Sequence, residues 1–296
     1  MFDMRYHIAS LIAVFLALAI GILLGTVIVN KGILADQQTS LVKRIESNFN
    51  ALRNENSTLQ NELYETREFE SKAAPFIIKD KLSGANVAII ITGSLTDSSF
   101  LTNLTDDLKR AGAAVNSITV AKEFNIGNQA ITVLQPYIQT PLNKDNAREL
   151  ILRRMVDDLG ASNSNATTTA STTESNNAYL LQLKNLGFIK TDINFNAPGK
   201  TIDKAVIIGG SDAGEEPKLT DLPIILELKN LNIRTVGTEP STCKKSYMRS
   251  YQAAGIPTVD NIDQRIGIIS AIYALAGTNG NFGMKRTAGQ LMPALQ

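Results

Sequence analysis

The residues best suited to bind a soft metal lie at the very start of the chain. Met1, Met4 and His7 are spaced three residues apart, so a short helix would bring two thioethers and an imidazole near one another. Such groups are ligands that suit Cu(I). The same residues are also explained by a start methionine, an interfacial methionine and a histidine at headgroup level. The sequence favours this second interpretation, since ligands at a frayed terminus are poorly preorganised, and Met4 and His7 are kept as candidate ligands.

Several types of catalytic site can be excluded because the residues that form them are missing from the sequence. The sequence has one histidine, His7, ahead of the long apolar segment, so the remainder cannot form a Ser-His-Asp set, a Cys-His set or a His-ligated zinc site. Cys243, the single cysteine, lacks a base and is interpreted as an inert thiol. The acid pairs Glu215-Glu216 and Asp157-Asp158 could act in general acid and base catalysis, but adjacent acids are usually solvated. We therefore predict that the protein is not an enzyme.

One glycine-rich turn follows a predicted strand. The segment Ile207-Ile208-Gly209-Gly210-Ser211 has the strand-then-glycine order of phosphate-binding loops. It contains neither GxGxxG nor GxxxxGK[ST], and two glycines after a strand more often form a plain turn. The plain turn is the favoured interpretation, and no cofactor is predicted there.

The distribution of charged residues limits the kinds of partner that the sequence predicts. The chain of 296 residues carries 29 Lys and Arg against 28 Asp and Glu, for a net charge of +1, and the basic residues are spread along it. A nucleic-acid partner would favour a concentrated basic patch. No nucleic-acid partner is therefore expected.

A membrane helix is predicted at Ile8–Val29, which carries no charge. A helix of this length extends roughly 33 Å and crosses a hydrocarbon core of about 30 Å. A cleaved signal peptide is the competing interpretation, but no small-x-small cleavage site follows. We predict an uncleaved signal anchor in the cell membrane, with residues 1–7 cytoplasmic and the bulk of the chain extracytoplasmic.

Small residues recur every fourth position along this predicted span. Such a stripe lets two membrane helices approach closely, which is a main source of helix association in lipid. The alternative is that Ala and Gly are simply common in membrane helices. The stripe consists of Ala9, Ala13, Ala17, Gly21 and Gly25.

A coiled-coil stalk of about 50 Å is predicted over residues 34–70, from a heptad pattern without Pro or Gly between 35 and 67. Asn56 takes one a position, where paired amides fix the register, and Glu62 can pair with Arg67 across the interface. Chains rooted in one membrane face pair in parallel, so a parallel homo-oligomer is expected, with a dimer favoured. The alternative is a single helix folded back on its own domain. The predicted core is Val42, Ile45, Phe49, Leu52, Asn56, Leu59 and Leu63.

The remainder, residues 80–296, is predicted to be a three-layer α/β domain with a mostly parallel sheet. Pro75 is expected to end the preceding helix, and the polar segment 161–177 is expected to form a flexible surface loop. The predicted strands are 86–92, 114–120, 204–209, 234–237 and 257–259. The predicted helices are 97–111, 143–159, 179–186, 220–230 and 263–276, the last capped by Asn261 or Asp263 and stopped by Gly277.

The segment DMRYHIASLIAVFLALAIGILLGTVI, followed by the heptads, resembles the amino-terminal signature of the mycobacterial copper transport protein B family. The matching residues include Arg5, His7, Ser10, Leu11, Gly21, Leu24 and Gly25. The resemblance continues through DNIDQRIGIISAIYALAG and NFGMKRTAGQLMP. It implies a membrane-anchored protein of copper transport, efflux or homeostasis, for which copper is the implied ligand or cargo.

The family offers no ligand set that can be transferred position by position. Among the remaining soft side chains, Cys243 and Met248 are five residues apart and could meet, although a packed thiol and a packed methionine are the favoured interpretation. Two functions therefore remain open. One is a self-associated copper transport or homeostasis component of the envelope, and the other is a non-enzymatic structural or partner-binding envelope protein without transport activity.

Overall fold

A computed structural model describes residues 4–93, 95, 97–121, 126–160, 172–194, 201–211 and 217–295, without the side chains at 29–37 and 172–177. The chain divides into two compact units, Met1–Thr66 and Arg67–Gln296. The second unit contains the last turns of the first helix and the whole α/β domain.

The first helix, α1, runs over Met4–Ile78. Its segment Met4–Ile28 is long and apolar enough to cross a membrane by length and composition, in agreement with the predicted span. Within this segment Thr26 Oγ1 donates to the Leu23 carbonyl at 3.0 Å, which satisfies the hydroxyl inside the helix. The Thr26 hydroxyl near the end of this segment therefore does not oppose insertion.

The prediction that Pro75 ends the helix is wrong, because α1 continues through it to Ile78. A proline inside a helix removes a hydrogen bond and costs about 3 kcal/mol. Ala74 and Ile78 flank Pro75 and are buried in the core of the second unit, at 1% and 0% exposure. Their burial stabilises the last turn against the local effect of the proline.

The second unit alternates strands and helices along the chain. Its sheet has seven strands in the order β3-β2-β1-β4-β5-β6-β7, and every neighbouring pair is parallel except β2 with β3. The strands are β1 (Asn86–Ile91), β2 (Ala114–Val120), β3 (Ile189–Thr191), β4 (Lys204–Ile208), β5 (Arg234–Thr238), β6 (Thr258–Val259) and β7 (Asn281–Phe282). The helices are α2 (Phe100–Arg110), α3 (Asn128–Leu134), α4 (Ala147–Gly160), α5 (Thr172–Asn185), α6 (Asp221–Asn230), α7 (Met248–Ala253) and α8 (Arg265–Ala276), with 3₁₀ turns at Gln135–Tyr137 and Pro217–Leu219.

The sheet is covered on both faces, which confirms the predicted layers. Because strand side chains alternate, Ala88 and Ile90 of β1 enter an apolar cluster with α3, α4, α5, α6 and α7. Val87, Ile89 and Ile91 enter the opposite cluster with the end of α1, α2 and α8. The strand order reverses at β1, since β2 lies on one side of it and β4 on the other. The carboxyl ends of β1 and β4 therefore form the topological switch point, where ligands bind in open α/β sheets.

Four predicted helix starts need correction: α4 begins at Ala147 rather than at residue 143, α5 begins at Thr172 rather than near residue 179, and the starts of α2 and α8 also differ. Helix α2 begins at Phe100 rather than at Asp97, whose carboxylate accepts the Ser99 N–H at 2.8 Å in a local turn that competes with the helix. Helix α8 begins at Arg265 and has no side-chain cap. The predicted cap Asp263 instead accepts hydrogen bonds from the N–H and Oγ of Ser241, both at 2.6 Å, so a tertiary partner replaces the local one. The other predicted cap, Asn261, is fully buried and makes no cap either.

The segment predicted as a polar loop, 161–177, lies outside the described residues up to 171. From Thr172 onward the chain is helical, since α5 begins there. Three short elements were not predicted, namely β3, α7 and β7. Each has at most six residues, too few to establish a repeating sequence pattern, and β3 and β7 are held by the neighbouring strands β2 and β6.

Candidate functional site

The switch point between β1 and β4 is the expected ligand position in this fold, and here it is closely packed. A Cβ placed at Gly93, after β1, would lie 2.6 Å from the Gly210 carbonyl oxygen after β4. A Cβ at Gly209 would overlap the Tyr251 hydroxyl and lie 2.9 Å from Asp221 Oδ1. The glycines after β4 therefore make room for the chain's own backbone and side chains.

Asp221 at the start of α6 is the polar centre of this region. It is 2% exposed, and its Oδ1 accepts hydrogen bonds from Thr92 Oγ1 at 2.5 Å and from the Tyr251 hydroxyl. Burial raises the pKa of the Asp221 carboxyl to about 6, although both hydrogen bonds lower it. Burial also raises the pKa of Tyr251 well above its ordinary value, with the Asp221 charge as a second cause. The group that fills the switch point is thus a hydrogen-bonded carboxyl between two hydroxyls.

This arrangement favours the plain-turn interpretation of the glycine-rich segment. The space beside Gly209 is filled by Tyr251, which is fully buried. Ser211, after the two glycines, exchanges main-chain hydrogen bonds with Lys245 at 3.1 and 2.9 Å. The acid pair Glu215-Glu216 lies outside the described residues.

Cys243 belongs to a second polar cluster, beside β5. Lys285 Nζ donates to Glu239 Oε1 at 2.7 Å, to Cys243 Sγ at 3.1 Å and to the Pro240 carbonyl at 3.2 Å. Glu239 is fully buried and also accepts the Tyr247 N–H at 2.8 Å. The cluster thus pairs a buried carboxylate with one ammonium group that also contacts the thiol.

The surroundings of the Cys243 thiol disfavour its ionised form. Burial, followed by the charge of Glu239, raises the pKa of the Cys243 thiol, while Lys285 opposes this rise. Burial lowers the pKa of Lys285, but its hydrogen bond and charge interaction with Glu239 more than offset this, so the pKa is raised. Glu239 and Lys285 are 46 residues apart in the chain. No local pattern signals their contact, which explains why sequence reasoning missed it.

The two candidate soft ligands of the α/β domain differ in their surroundings. Met248 begins α7, is 1% exposed and belongs to the apolar cluster that also holds Tyr247 and Tyr251. Cys243 Sγ has the Lys245 carbonyl at 3.8 Å as a further neighbour. Met4 and His7 are exposed on α1 in the first unit, and Met1 lies outside the described residues. Among the described residues, no three His, Cys, Asp or Glu side chains converge as a metal site.

In the pair Asp157-Asp158, Asp158 is buried and Asp157 is half-buried, in contrast to the solvated pair expected from the sequence. Asp158 has a side-chain exposure of 1%, and Arg154 Nη2 lies 2.6 Å from its Oδ1, although the contact lacks the alignment of a hydrogen bond. Burial raises the pKa of Asp158 to about 7, against the effect of Arg154. Burial and the neighbouring Glu227 of α6 raise the pKa of Asp157 to about 6. The Arg153-Arg154 and Asp157-Asp158 pairs, at helical spacing, were the signal that could have indicated this cluster.

The heptad positions of α1 form an apolar face without a partner in the described single chain. The face is broad enough to pair with another helix, but pairing itself stays a prediction. The exposures are 60% for Val42, 60% for Ile45, 62% for Phe49, 64% for Leu52, 57% for Leu59 and 49% for Leu63, and Asn56 is also exposed. The small residues Ala9, Ala13, Ala17, Gly21 and Gly25 are likewise exposed, and nothing lies within 4 Å of a Cβ placed at either glycine.

Comparisons with known proteins cover almost the whole chain. The family model described as "Copper transport outer membrane protein, MctB" matches residues 1–293. Proteins named Copper transporter MctB from Mycobacterium bovis (strain ATCC BAA-935 / AF2122/97) and from Mycobacterium tuberculosis (strain ATCC 25618 / H37Rv) are each 26% identical to it over 306 aligned positions. These alignments cover 96% of this chain and 96% of each relative. No solved structure matches. Because the family model spans both the apolar helix and the α/β domain, the chain belongs to the MctB family of copper transport proteins.

Proposed function

We propose that this protein is a membrane-anchored component of copper efflux or copper homeostasis that acts as a parallel homodimer in the cell envelope. The observation that carries the proposal is the family match over residues 1–293, which includes both units. The relatives that cover 96% of the chain are named copper transporters, so the copper role is carried over from them.

The proposed topology is a single-pass anchor in the cell membrane with a cytoplasmic N-terminus. The apolar segment Met4–Ile28 is long and apolar enough to cross a membrane, and the α/β domain follows it in the chain. Long domains translocate largely regardless of their charge. The α/β domain is accordingly extracytoplasmic in this proposal.

The proposed dimer rests on the exposed heptad face of α1. Side chains such as Ile45 and Leu52 expose about three-fifths of their surface to water in the single chain. Pairing with a second α1 removes this apolar surface from water, and Asn56 then faces Asn56 of the second copy and fixes the register. The small-residue stripe provides a matching close contact between the two membrane segments.

A second candidate function is a structural or partner-binding role without transport. The observation that favours it is the closed switch point, where Tyr251 and Asp221 occupy the space beside Gly209. In this candidate function the domain acts through its surfaces. Met248 also packs in the core, and Cys243 contacts Lys285, so neither is presented as an open ligand.

Copper binding separates the two functions. The full chain, purified in detergent, is titrated with Cu(I) in competition with a chromogenic chelator, alongside Cys243→Ser, Met248→Leu and His7→Ala. Met248→Leu keeps the packing volume, so a change in affinity reports a lost ligand rather than a core defect. If the protein binds Cu(I) no more tightly than a control peptide, a direct copper role is wrong.

Transport is tested in cells and not by binding alone. Cells that lack the gene and cells that carry it back are exposed to copper, and their cytoplasmic copper is measured by mass spectrometry. The efflux or homeostasis role predicts higher copper without the protein. Equal copper contents in both strains would favour the structural role.

A further inference from the structure

The thiol of Cys243 and the ammonium group of Lys285 bring two potential nucleophiles into contact inside the α/β unit. Lys285 Nζ lies 3.1 Å from Cys243 Sγ, within the range of about 3–3.5 Å at which positioned groups react. The Cys243 side chain is half-buried and 24% of the Lys285 side chain is exposed, so a small oxidant can reach the sulfur. Because the sequence contains a single cysteine, an oxidised Cys243 has no second thiol in its own chain with which to form a disulfide. The Lys285 nitrogen is in place as the alternative partner.

Main-chain hydrogen bonds hold both side chains in position. The Asp260 carboxylate accepts the N–H of Met284 at 2.7 Å and the N–H of Lys285 at 3.0 Å, which fixes the backbone that carries the amine. The Cys243 N–H donates to the Pro240 carbonyl at 3.3 Å, and Lys285 Nζ donates to the same carbonyl at 3.2 Å. The sulfur and the nitrogen are therefore brought together by two anchored segments, and their contact is preorganised.

Glu239 supplies the proton acceptor that a reaction of the Lys285 ammonium group needs. An ammonium group has no free electron pair, so it becomes a nucleophile only after it loses a proton. The Glu239 carboxylate is fully buried, and its Oε1 lies 2.7 Å from Lys285 Nζ. Transfer of the proton leaves a neutral amine beside a neutral carboxyl group. No unpaired charge then remains in the buried cluster, which would otherwise destabilise the fold.

The reaction that this arrangement permits is a two-step oxidation by hydrogen peroxide. In the first step the Cys243 sulfur attacks one peroxide oxygen and the O–O bond breaks, which gives a sulfenic acid and one water molecule. In the second step the Lys285 nitrogen, after its proton passes to Glu239, attacks the sulfenic sulfur. An N–S bond forms, the S–O bond breaks and a second water molecule leaves. The sulfur loses two electrons in total, and one peroxide molecule is reduced to two water molecules.

The first step is the slow one in the folded chain. Peroxide reacts with the thiolate, and burial, followed by the charge of Glu239, raises the pKa of the Cys243 thiol. The second step takes place within a contact that already exists in the reduced protein. Sustained exposure to peroxide is therefore the condition under which the bond is expected.

We infer that Cys243 and Lys285 form a reversible covalent N–S bond, a sulfenamide, when the protein is exposed to hydrogen peroxide. Cys243 lies between β5 and α7, whereas Lys285 follows β7. The bond therefore ties the segment after β7 to the loop after β5 and acts as a redox-sensitive latch on this segment. The inference uses contacts within the α/β unit alone, so it depends neither on the proposed copper role nor on the proposed pairing of chains.

Peptide mapping of the full chain tests the bond. The protein in detergent is treated with hydrogen peroxide, the remaining thiols are alkylated in urea, and the digest is analysed by mass spectrometry with and without dithiothreitol. We expect a linked pair of peptides that contain Cys243 and Lys285, with a combined mass lower by two hydrogen atoms, and we expect dithiothreitol to separate the pair.

Two lysine variants make the test specific. Lys285→Arg keeps a cation beside Glu239 and should abolish the link, so that Cys243 carries added oxygen instead. Lys244→Arg, at the exposed lysine next to Cys243 in sequence, is the matched control and should keep the link. A link through Lys244, a disulfide between two copies, or oxidation of Cys243 without a link overturns the inference. A thiol that stays reduced under peroxide that fully oxidises the urea-unfolded chain overturns it as well.

Hydrogen exchange measures the latch independently of the mapping. The Gly283 N–H donates to the Gln290 carbonyl at 3.0 Å and the Gly289 N–H donates to the Asn281 carbonyl at 2.8 Å, so both amides report opening of the segment after β7. Peroxide should slow their exchange by at least about tenfold, because the bond restrains local opening, and dithiothreitol should restore the original rate. Lys285→Arg contains the same methionines and controls for their oxidation, and its exchange should not slow. Unchanged exchange in the linked wild-type chain, or equal slowing in the variant, contradicts the latch.

Discussion

Asp158 makes the stability of the α/β domain depend on pH in an uncommon direction. Its side chain is 1% exposed at the end of α4, and burial raises its pKa to about 7 from an ordinary value of 3.8. Between these two values the folded chain binds a proton that the unfolded chain has released. Stability therefore falls as pH rises through this range, because the folded state binds more protons than the unfolded state. The perturbation that tests this is Asp158→Asn, which keeps the shape of the protonated carboxyl and cannot ionise.

The size of the effect follows from the two pKa values. Each pKa unit corresponds to about 1.4 kcal/mol, and between pH 8 and pH 5 the proton bound by Asp158 stabilises the folded state by about 2–3 kcal/mol. For a domain of this size, 1 kcal/mol shifts the melting temperature by about 2–4 °C. The wild-type domain should therefore melt roughly 4–12 °C higher at pH 5 than at pH 8, apart from changes at other groups. Asp157, whose pKa burial and Glu227 raise to about 6, acts in the same direction.

The assay is thermal unfolding of the full chain in detergent, followed by circular dichroism at several pH values. Asp158→Asn should be more stable than wild type at pH 8 and should show a flatter pH dependence. Asp106→Asn, the same substitution at an exposed helical position, is the matched control and should follow wild type. The opposite result is a variant that is less stable than wild type by several kcal/mol at pH 8. It would mean that the 2.6 Å contact with Arg154 is a stabilising ion pair of a charged Asp158. The reasoning would then be refuted.

Three further predictions concern the two polar clusters beside the sheet. Lys285→Met leaves the fully buried Glu239 carboxylate without its ammonium partner and should cost about 3–5 kcal/mol in the free energy of unfolding, with partial recovery on adding Glu239→Gln. The Cys243 thiol should react with iodoacetamide at pH 7 more slowly than the same thiol in the urea-unfolded chain, because burial raises its pKa and thiolate is the reactive form. Gly209→Ala should cost about 1–3 kcal/mol through overlap with the Tyr251 hydroxyl, and Tyr251→Phe in the same chain should restore part of this loss by removing the oxygen.

Each of these predictions has a defined contrary result. Full stability of Lys285→Met would mean that the contact between Lys285 Nζ and Glu239 Oε1 does not stabilise the fold. Fast alkylation of Cys243 in the folded chain would indicate an activated thiol and would reopen its role as a metal ligand. If Tyr251→Phe fails to relieve Gly209→Ala, the alanine is strained by the backbone and not by the hydroxyl, and the packed description of the switch point is wrong.

The described side chains at the switch point pack against one another, whereas α1 carries exposed apolar side chains. In open α/β folds a ligand normally lies outside the carboxyl ends of the strands at this position. Here Thr92, Asp221 and Tyr251 satisfy one another there. The exposed apolar surface of α1 is correspondingly the part of the molecule that remains to be covered.

Patterns with a local physical cause could be predicted from the sequence. The span follows from a long uncharged stretch, and the parallel β1-α2-β2 unit follows from two apolar strands around an amphipathic helix, with both strands found within one residue of the predicted bounds. Gly277 ends α8 as predicted, with φ of 132°, because glycine tolerates a conformation that other residues avoid. The sequence has no histidine after residue 7, and this alone excludes histidine-based catalysis in the domain.

The tertiary structure decided what depends on contacts between distant residues. Pro75 stays inside α1 because Ala74 and Ile78 are buried by the domain, and Asp263 does not cap α8 because Ser241 takes its carboxylate. Asp158 is buried and Cys243 meets Lys285 only because separate elements fold together; the i,i+4 spacing of Arg154 and Asp158 indicates their contact but not the burial, and no spacing indicates the contact of Cys243 with Lys285. Local sequence sets which residues can form a helix or a strand. Burial sets the pKa values, the partners of the carboxylates and the packing at the switch point. Burial is a property of the assembled layers and not of any one segment, so only the tertiary structure decides it.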